Sequence, residues 1–186
     1  MTSIRVAELG DAAAIAAIYR PIARDTWISF EIDPPSADEM AGRIARTLPN
    51  FPWLVATNGD DVLGYAYASS RSERAAYQWS SDVTIYLDEA ARGKGLGRQL
   101  YQSLFSVLRR QGIRNAFAGI ALPNAASVAL HESVGFVPLG VFADVGFKLG
   151  AWRSVGWWQC RLAETTRAPL PTVPFARLRE RAGFAI

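Results

Sequence analysis

The chain has 186 residues, half of them hydrophobic, with 20 Lys and Arg set against 17 Asp and Glu for a formal net charge of +3 and a calculated pI near 9.3. This is enough for one domain with a sizeable core, and too apolar for a disordered chain. The near-balance of charge makes no case for nucleic acid, and a single cysteine excludes an intrachain disulfide framework.

IRVAE (4–8) alternates as a short strand does, and Asp11 is placed to cap a helix that begins AAAIAAIY and should falter at Pro21. TWISFEIDPP is aromatic, irregular and ends in prolines, which predicts a loop. Ser36 and Glu39 form a capping box, after which Met40, Ile44 and Leu48 give one apolar helix face ending near Pro49. WLVAT (53–57) and VLGYAYAS (62–69) flank NGDD, a hairpin signal. RSERAAYQWS (71–80) reads as a loop leading into the strand VTIYL (83–87). A helix from about Gly95 carries Leu96, Leu100, Leu104 and Leu108 and can end at Gly112. NAFAGIAL (115–122) has the pattern of a buried strand. Asn124 opens another helix that ends before Gly135, and 137–142 and 152–162 read as two neighbouring strands. Cys160, in WWQCRL, is expected to be a buried, inert thiol. After Thr165 come Pro169, Pro171 and Pro174, so the division expected is a domain over 1–165 and a proline-containing tail over 166–186, lying over the surface or partly mobile. The order β-α-α-β-β-β-α-β-α-β-β points to one α+β or mixed α/β domain. No stretch reaches the ~18 apolar residues of a membrane helix. The N-terminus, broken by Glu8 and Asp11 and lacking a basic start, does not read as a signal peptide, so no membrane partner and a cytoplasmic location are expected.

The turn RGKGLGR (92–98) concentrates three glycines and three basic residues between a strand and a helix. Glycines at positive φ let successive N–H groups converge on an anion, and a helix N-terminus adds its dipole. Arg92, Lys94 and Arg98 add full charge, so a pyrophosphate is a natural ligand. The Walker pattern GxxxxGK[ST] is absent, and Gly93, Gly95 and Gly97 do not have the GxGxxG spacing of a dinucleotide site. The competing account is a solvated basic turn with a glycine helix entry.

RGKGLG is similar to the R/Q-x-x-G-x-G/A signature of the GNAT N-acetyltransferase superfamily, in its expected place between strand and helix. PNAASVALHESVGF (123–136) resembles the superfamily segment in which an asparagine and a helix line the pantetheine end of acetyl-coenzyme A. YQWSSDVTIYL (77–87) and GFKLGAWRSVGWWQ (146–159) resemble the phosphinothricin N-acetyltransferases, and the similarity covers roughly residues 3–163. The resemblance implies a GNAT fold, a central twisted, mixed but mostly antiparallel sheet flanked by helices. It implies acetyl-CoA as cosubstrate, with backbone groups of Ile85, Tyr86 and Leu87 pairing the pantetheine arm. Arg92, Gly93, Lys94, Gly95, Leu96, Gly97 and Arg98 would cradle the pyrophosphate, and Asn124 and Ser127 would meet the pantetheine end.

Acetylating an amine that is mostly protonated at neutral pH needs a base. Asp82 holds the position of a glutamate in the phosphinothricin enzymes. One methylene shorter, it favours a water relay; alternatively it is a capping aspartate or one paired with Arg74. His131, the only histidine, matches the subfamily's histidine and is expected in the active site as general acid or substrate-orienting group. The oxyanion is expected at backbone N–H groups near Thr84 and Ile85, where the superfamily strand bulges. Arg74 and Tyr77, with Trp27 and Phe30 from the early aromatic loop, are candidate substrate-binding residues; ordinary core or interface packing is the alternative for the aromatics. Tyr101 reads as core, and the cluster of Trp152, Trp157 and Trp158 as strand packing and interface. The implied substrates are phosphinothricin, methionine sulfone and methionine sulfoximine, taken at the α-amine, and the implied assembly is a homodimer. Other amines (a polyamine, a protein N-terminus) and a non-catalytic coenzyme A-binding module are the alternatives. One histidine and one cysteine far apart give no metal site.

Overall fold

The computed structural model describes residues 2–164, 168–181 and 183–186. Seven strands form one sheet: β1 (Thr2–Val6), β2 (Trp53–Asn58), β3 (Asp61–Ser70), β4 (Ser80–Leu87), β5 (Asn115–Ala121), β6 (Val137–Lys148) and β7 (Ala151–Arg161), in the order β1-β2-β3-β4-β5-β7-β6. Every neighbouring pair is antiparallel except β4 and β5. The element order agrees with the expectation from the sequence, as does the mixed, mostly antiparallel sheet between helices.

Helices α1 (Ala12–Asp25) and α2 (Ala37–Thr47) cover one face. Ile15, Ile18, Tyr19 and Ile22 of α1 and Met40 and Ile44 of α2 pack there on Trp53, Val55 and Tyr65. Helix α3 (Leu96–Gln111) covers the other face, its Leu100, Tyr101, Leu104 and Leu108 buried against Leu54, Ala66, Ala68 and Val83. Helix α4 (Ala125–Ser133) follows β5 on that side. The two cores follow from strand alternation: Leu54 and Ala66 face α3, while Trp53 and Tyr65 face α1.

Pro21 does not end α1. It lies on the exposed face together with Ala17, whose carbonyl would have received its missing N–H, so water can serve that carbonyl. Nor does the Asp11 carboxylate cap α1. It accepts two 2.7 Å bonds from the Arg5 guanidinium and one from the Glu8 N–H at 2.8 Å. Strand β6 runs six residues beyond the predicted end at 142, through a register shift between Phe142 and Gly146.

The expected boundary at 165/166 falls on residues outside those described. Further on, a helix α5 (Phe175–Arg179) buries Phe175 and Leu178 against Val107. The Val173 N–H reaches the Gln111 carbonyl at 2.8 Å and the Trp79 indole reaches the Leu170 carbonyl at 2.9 Å, so this segment is docked on the domain. Among the described residues no helix is long and apolar enough to cross a membrane, and no cluster of three or more metal-ligating side chains occurs.

Candidate active site

Strands β4 and β5 pair in parallel only over Ser80↔Asn115, Ser81↔Ala116 and Asp82↔Phe117, then part. On its other side β4 stays paired with β3 without a register shift, from Ser70↔Ser81 to Gly64↔Leu87. The bulge expected near Thr84 and Ile85 is therefore absent from that ladder; the parting from β5 is what frees backbone there. The Asp88 N–H bonds the Leu63 carbonyl at 2.9 Å. Antiparallel pairs alternate, so residues 84 and 86 exchange bonds with β3, and the N–H and C=O of Val83, Ile85 and Leu87 face the opening.

The opening leads into a cleft of about 490 Å³ lined by Ile85, Leu87, Gly95, Arg98, Asn124 and Ser127, with Tyr86, Arg92, Gly93, Leu96 and Gly97 also on its wall. Gly93 and Gly95 adopt φ of +74° and +77° with open space where a side chain would stand. Gly95 is the N-cap of α3 and offers no capping side chain, leaving the first-turn N–H groups of the helix free. The Arg98 guanidinium has no hydrogen-bond partner among the described residues. Arg92 is folded onto the Leu87 carbonyl, at 3.3 Å from both Nε and Nη2, and Lys94 Nζ donates to the Ala90 carbonyl at 2.8 Å. Lys94 is the one member of the predicted cradle that does not line the cleft. Gly97 has a different duty: a Cβ there would stand 2.9 Å from Leu130, so it allows α3 and α4 to approach.

At the inner end a recess of about 90 Å³ is lined by Thr84, Ile85, Gly119, Asn124, Ser127 and His131. The Asn124 side chain accepts the Ser127 N–H at 3.1 Å and so caps α4. His131 is buried, with both ring nitrogens engaged. Nδ1 lies 2.7 Å from the Ser127 carbonyl, which can only accept, so Nδ1 carries the proton. Nε2 is then the bare nitrogen and accepts the Tyr101 O–H at 2.7 Å. Burial pushes the imidazole below its usual pKa, against a smaller upward pull from the Ser127 backbone bond. Tyr101 is thus core, as expected, and also the partner of the only histidine.

Asp82 lies within β4 and, by strand alternation, on the opposite face with Thr84 and Tyr86. Its partner is Arg71, not Arg74: Arg71 Nη1 donates to Asp82 Oδ1 at 2.9 Å. The Arg71 guanidinium lies 4.9 Å from the Phe117 ring centroid and 4.4 Å from that of Trp157. Burial raises the Asp82 pKa, and the Arg71 hydrogen bond and charge pull it back in part. On the same face a cavity of about 350 Å³ is lined by Tyr19, Glu31, Arg43, Tyr67, Thr84 and Tyr86. Arg43 grips Glu31 with two bonds of 2.7 and 2.8 Å, and the Tyr19 hydroxyl donates to Glu31 at 2.9 Å.

Arg74 and Tyr77 are exposed on the turn before β4 and line none of these cavities. The Trp27 indole N–H donates to the Pro123 carbonyl at 3.1 Å while Arg153 lies 4.4 Å from its ring. Phe30 packs directly on Gly146, where an added Cβ would stand 2.2 Å from its ring. The loop holding both is tied down by Lys148, whose buried Nζ donates to the carbonyls of Ala23, Ser29 and Glu31. Ile28, carried between these anchors, lines both the cleft and the recess. The run GFKLGAWRSVGWWQ thereby acquires a physical reading. Gly146 seats Phe30, Lys148 holds the loop, Leu149 and Gly150 turn the hairpin at φ +50° and +75°, and Gly156 leaves room for the Trp158 ring. Cys160 is buried beside Phe136 and Leu162, as expected.

A twisted sheet that parts beside an uncapped, glycine-entered helix defines an acyl-coenzyme A transferase architecture. The chain belongs to the GNAT acetyltransferase family: residues 4–157 match its acetyltransferase (GNAT) domain. It is 34% identical over 94% of its length to a phosphinothricin N-acetyltransferase of Streptomyces viridochromogenes, covering 95% of that protein. It is 35% identical to an L-methionine sulfoximine/L-methionine sulfone acetyltransferase of Pseudomonas paraeruginosa, over 90% of this chain and 98% of that one. A crystal structure of a GNAT superfamily phosphinothricin acetyltransferase from Sinorhizobium meliloti in complex with acetyl-CoA superposes with a TM-score of 0.85 at 33% identity, covering 94% of this chain and 98% of the other. The protein is an N-acetyltransferase.

Proposed function

We propose that this enzyme transfers the acetyl group of acetyl-CoA to the α-amine of a small amino-acid analogue of the phosphinothricin, methionine sulfone or methionine sulfoximine type. The observation that carries the reading is the division of labour across β4. An anion cradle and free backbone lie on one side of the β4–β5 parting, and a half-buried carboxylate lies on the other.

The residues fit the coenzyme. The free N–H groups at the start of α3, the nest at Gly93 and Gly95 and the unpaired Arg98 suit a pyrophosphate. The outward backbone groups of Ile85 and the Leu87 N–H suit the pantetheine amides, and Asn124 and Ser127 line their path. Acetyl-CoA, when bound, supplies the acyl group as an activated thioester. Asp82 takes the proton from the substrate ammonium onto Oδ2, which accepts no hydrogen bond among the described residues, either directly or through water. Its raised pKa brings it nearer to the amine it must deprotonate. His131 stays neutral, lines the inner recess and is held there between the Tyr101 hydroxyl and the Ser127 carbonyl, which gives it a positioning role. Arg71 and Arg74 disfavour a polycation as substrate.

We further propose a homodimer. Strand β6 ends the sheet, and Val137, Leu139, Val141, Phe142, Phe147 and Trp152 are each more than half exposed. Large side chains exposed to that degree present on the order of 100 Å² each, and with their neighbours Val145 and Leu149 they approach the ~800 Å² per partner of a standard interface. A second copy covers such an edge isologously, and sedimentation should give twice the chain mass. A reduced, buried Cys160 suits the cytoplasm.

Free-thiol release from acetyl-CoA, measured with phosphinothricin, methionine sulfone, methionine sulfoximine, ordinary amino acids and spermidine, tests the proposal. Release with the first three, lost in Asp82→Asn, supports it. Release with spermidine alone, or none with any amine despite coenzyme binding, overturns the substrate reading.

A further inference from the structure

We infer that the Arg71–Asp82 pair is the recognition element for the zwitterionic head of a free α-amino acid, with Arg71 taking the α-carboxylate and Asp82 the α-ammonium. This rests on the reading of the enzyme as an amino-acid N-acetyltransferase and narrows it to substrates with a carboxylate beside the reacting amine.

An ion pair at 2.9 Å is the electrostatic mirror of an amino-acid head group, in which ammonium and carboxylate are held on one carbon. The pair is open to a ligand, since the two side chains keep 30% and 31% of their exposure. It is also unsaturated. Arg71 spends one donor on Asp82 and makes no other hydrogen bond among the described residues, so the rest of its fork remains for a carboxylate. Asp82 keeps Oδ2 free. The guanidinium is held in place by the Phe117 and Trp157 rings, so Asp82 is not its only anchor. The Trp157 indole N–H is buried beside it without an acceptor among the described residues. When the substrate seats, its carboxylate replaces Asp82 on Arg71, and Asp82 is released towards the ammonium. The base is thus partnered while the site is empty and freed by the carboxylate of the same molecule whose ammonium it must deprotonate. Arg74, exposed on the preceding turn, has none of this support.

The test compares methionine sulfone with its α-carboxamide and with the decarboxylated amine, for wild type, Arg71→Met, Arg71→Lys and Arg74→Met. Each is followed by thiol release and, without coenzyme, by calorimetric binding. The expected result is a preference of wild type for the acid of about 100-fold or more, as for a site built around a charged hydrogen bond. Arg71→Met should lose most of that preference, with kcat/KM falling much further for the acid than for the carboxamide. Arg71→Lys, with the charge but not the fork, should fall between. Equal turnover of acid and carboxamide by wild type overturns the inference while leaving the enzyme reading intact. So does a preference that survives in Arg71→Met and collapses in Arg74→Met. Selective binding of the acid without turnover of any amine upholds Arg71 and overturns the catalytic reading instead. Thermal unfolding of each variant verifies that it is folded.

Discussion

Replacing Lys148 by Met keeps the length of the side chain and removes its three donors. The ammonium is buried and serves the carbonyls of Ala23, Ser29 and Glu31, which bracket the loop carrying Trp27 and Ile28. A buried acceptor left without its donor costs about 1–3 kcal/mol, and bonds to a charged donor lie at the upper end. Against three such losses, about 6–9 kcal/mol, stands the easier burial of a thioether than of an ammonium, about 2 kcal/mol, with no side-chain entropy recovered because Met and Lys lose similar freedom on burial. The net expectation is a destabilisation of about 4–7 kcal/mol, or roughly 8–28 °C in Tm for a chain of this size. Thermal unfolding followed by circular dichroism reads the effect. The KM for acetyl-CoA should rise more than the KM for the amine, because Ile28 lines the coenzyme cleft and its inner recess. A Tm within 2 °C of wild type would refute the reasoning, since the three carbonyls would then not depend on the ammonium.

The acid limb of the kcat/KM profile should lie above the ordinary carboxylate range, because burial raises Asp82. Arg71→Met removes the opposing pull and should move that limb to still higher pH, measured with the carboxamide substrate. Asp11→Asn should cost about 1–3 kcal/mol at pH 7 through its charged bonds to Arg5. The Asp11 pKa is lowered first by the Arg5 hydrogen bond, so its contribution is complete above the unfolded pKa and lost as pH falls through the folded one. The Tm gap between wild type and variant should therefore close below about pH 4. Leu149→Asn should raise stability by about 0.5–1 kcal/mol, because Leu149 holds φ +50° in the β6–β7 turn and asparagine tolerates that region; an unchanged Tm would argue against strain there.

The sequence was most legible where a residue acts through its own neighbours. The Ser36–Glu39 box, the leucines of α3 at four-residue spacing, the Gly112 stop and the basic glycine turn each operate between residues one turn of chain apart. What escaped depends on residues brought together by the sheet. Arg71 and Arg74 share one loop and one chemistry, and only the arrival of Phe117 and Trp157 from β5 and β7 selects the first. The motif match points to His131, whose tautomer is set by the Ser127 carbonyl one turn back, but its Tyr101 partner comes from a different helix. The Lys148 cage consists of backbone carbonyls, which leave no mark on sequence. The faltering expected at Pro21 does not occur, because the sequence does not say which face of α1 is wet.

Strand β4 works as a party wall between two tenants. Val83, Ile85 and Leu87 turn their backbone to the parting from β5, while Asp82 and Thr84 carry their side chains on the opposite face, where Thr84 lines the second cavity. What the coenzyme side requires of the strand is therefore mostly main chain, which mutation leaves alone. Side chains lining that second cavity, such as Tyr67 and Thr84, can drift with the taste for one amine or another while the carboxylate at 82 stays. A lineage built on such a strand can exchange its acceptor without renegotiating its donor.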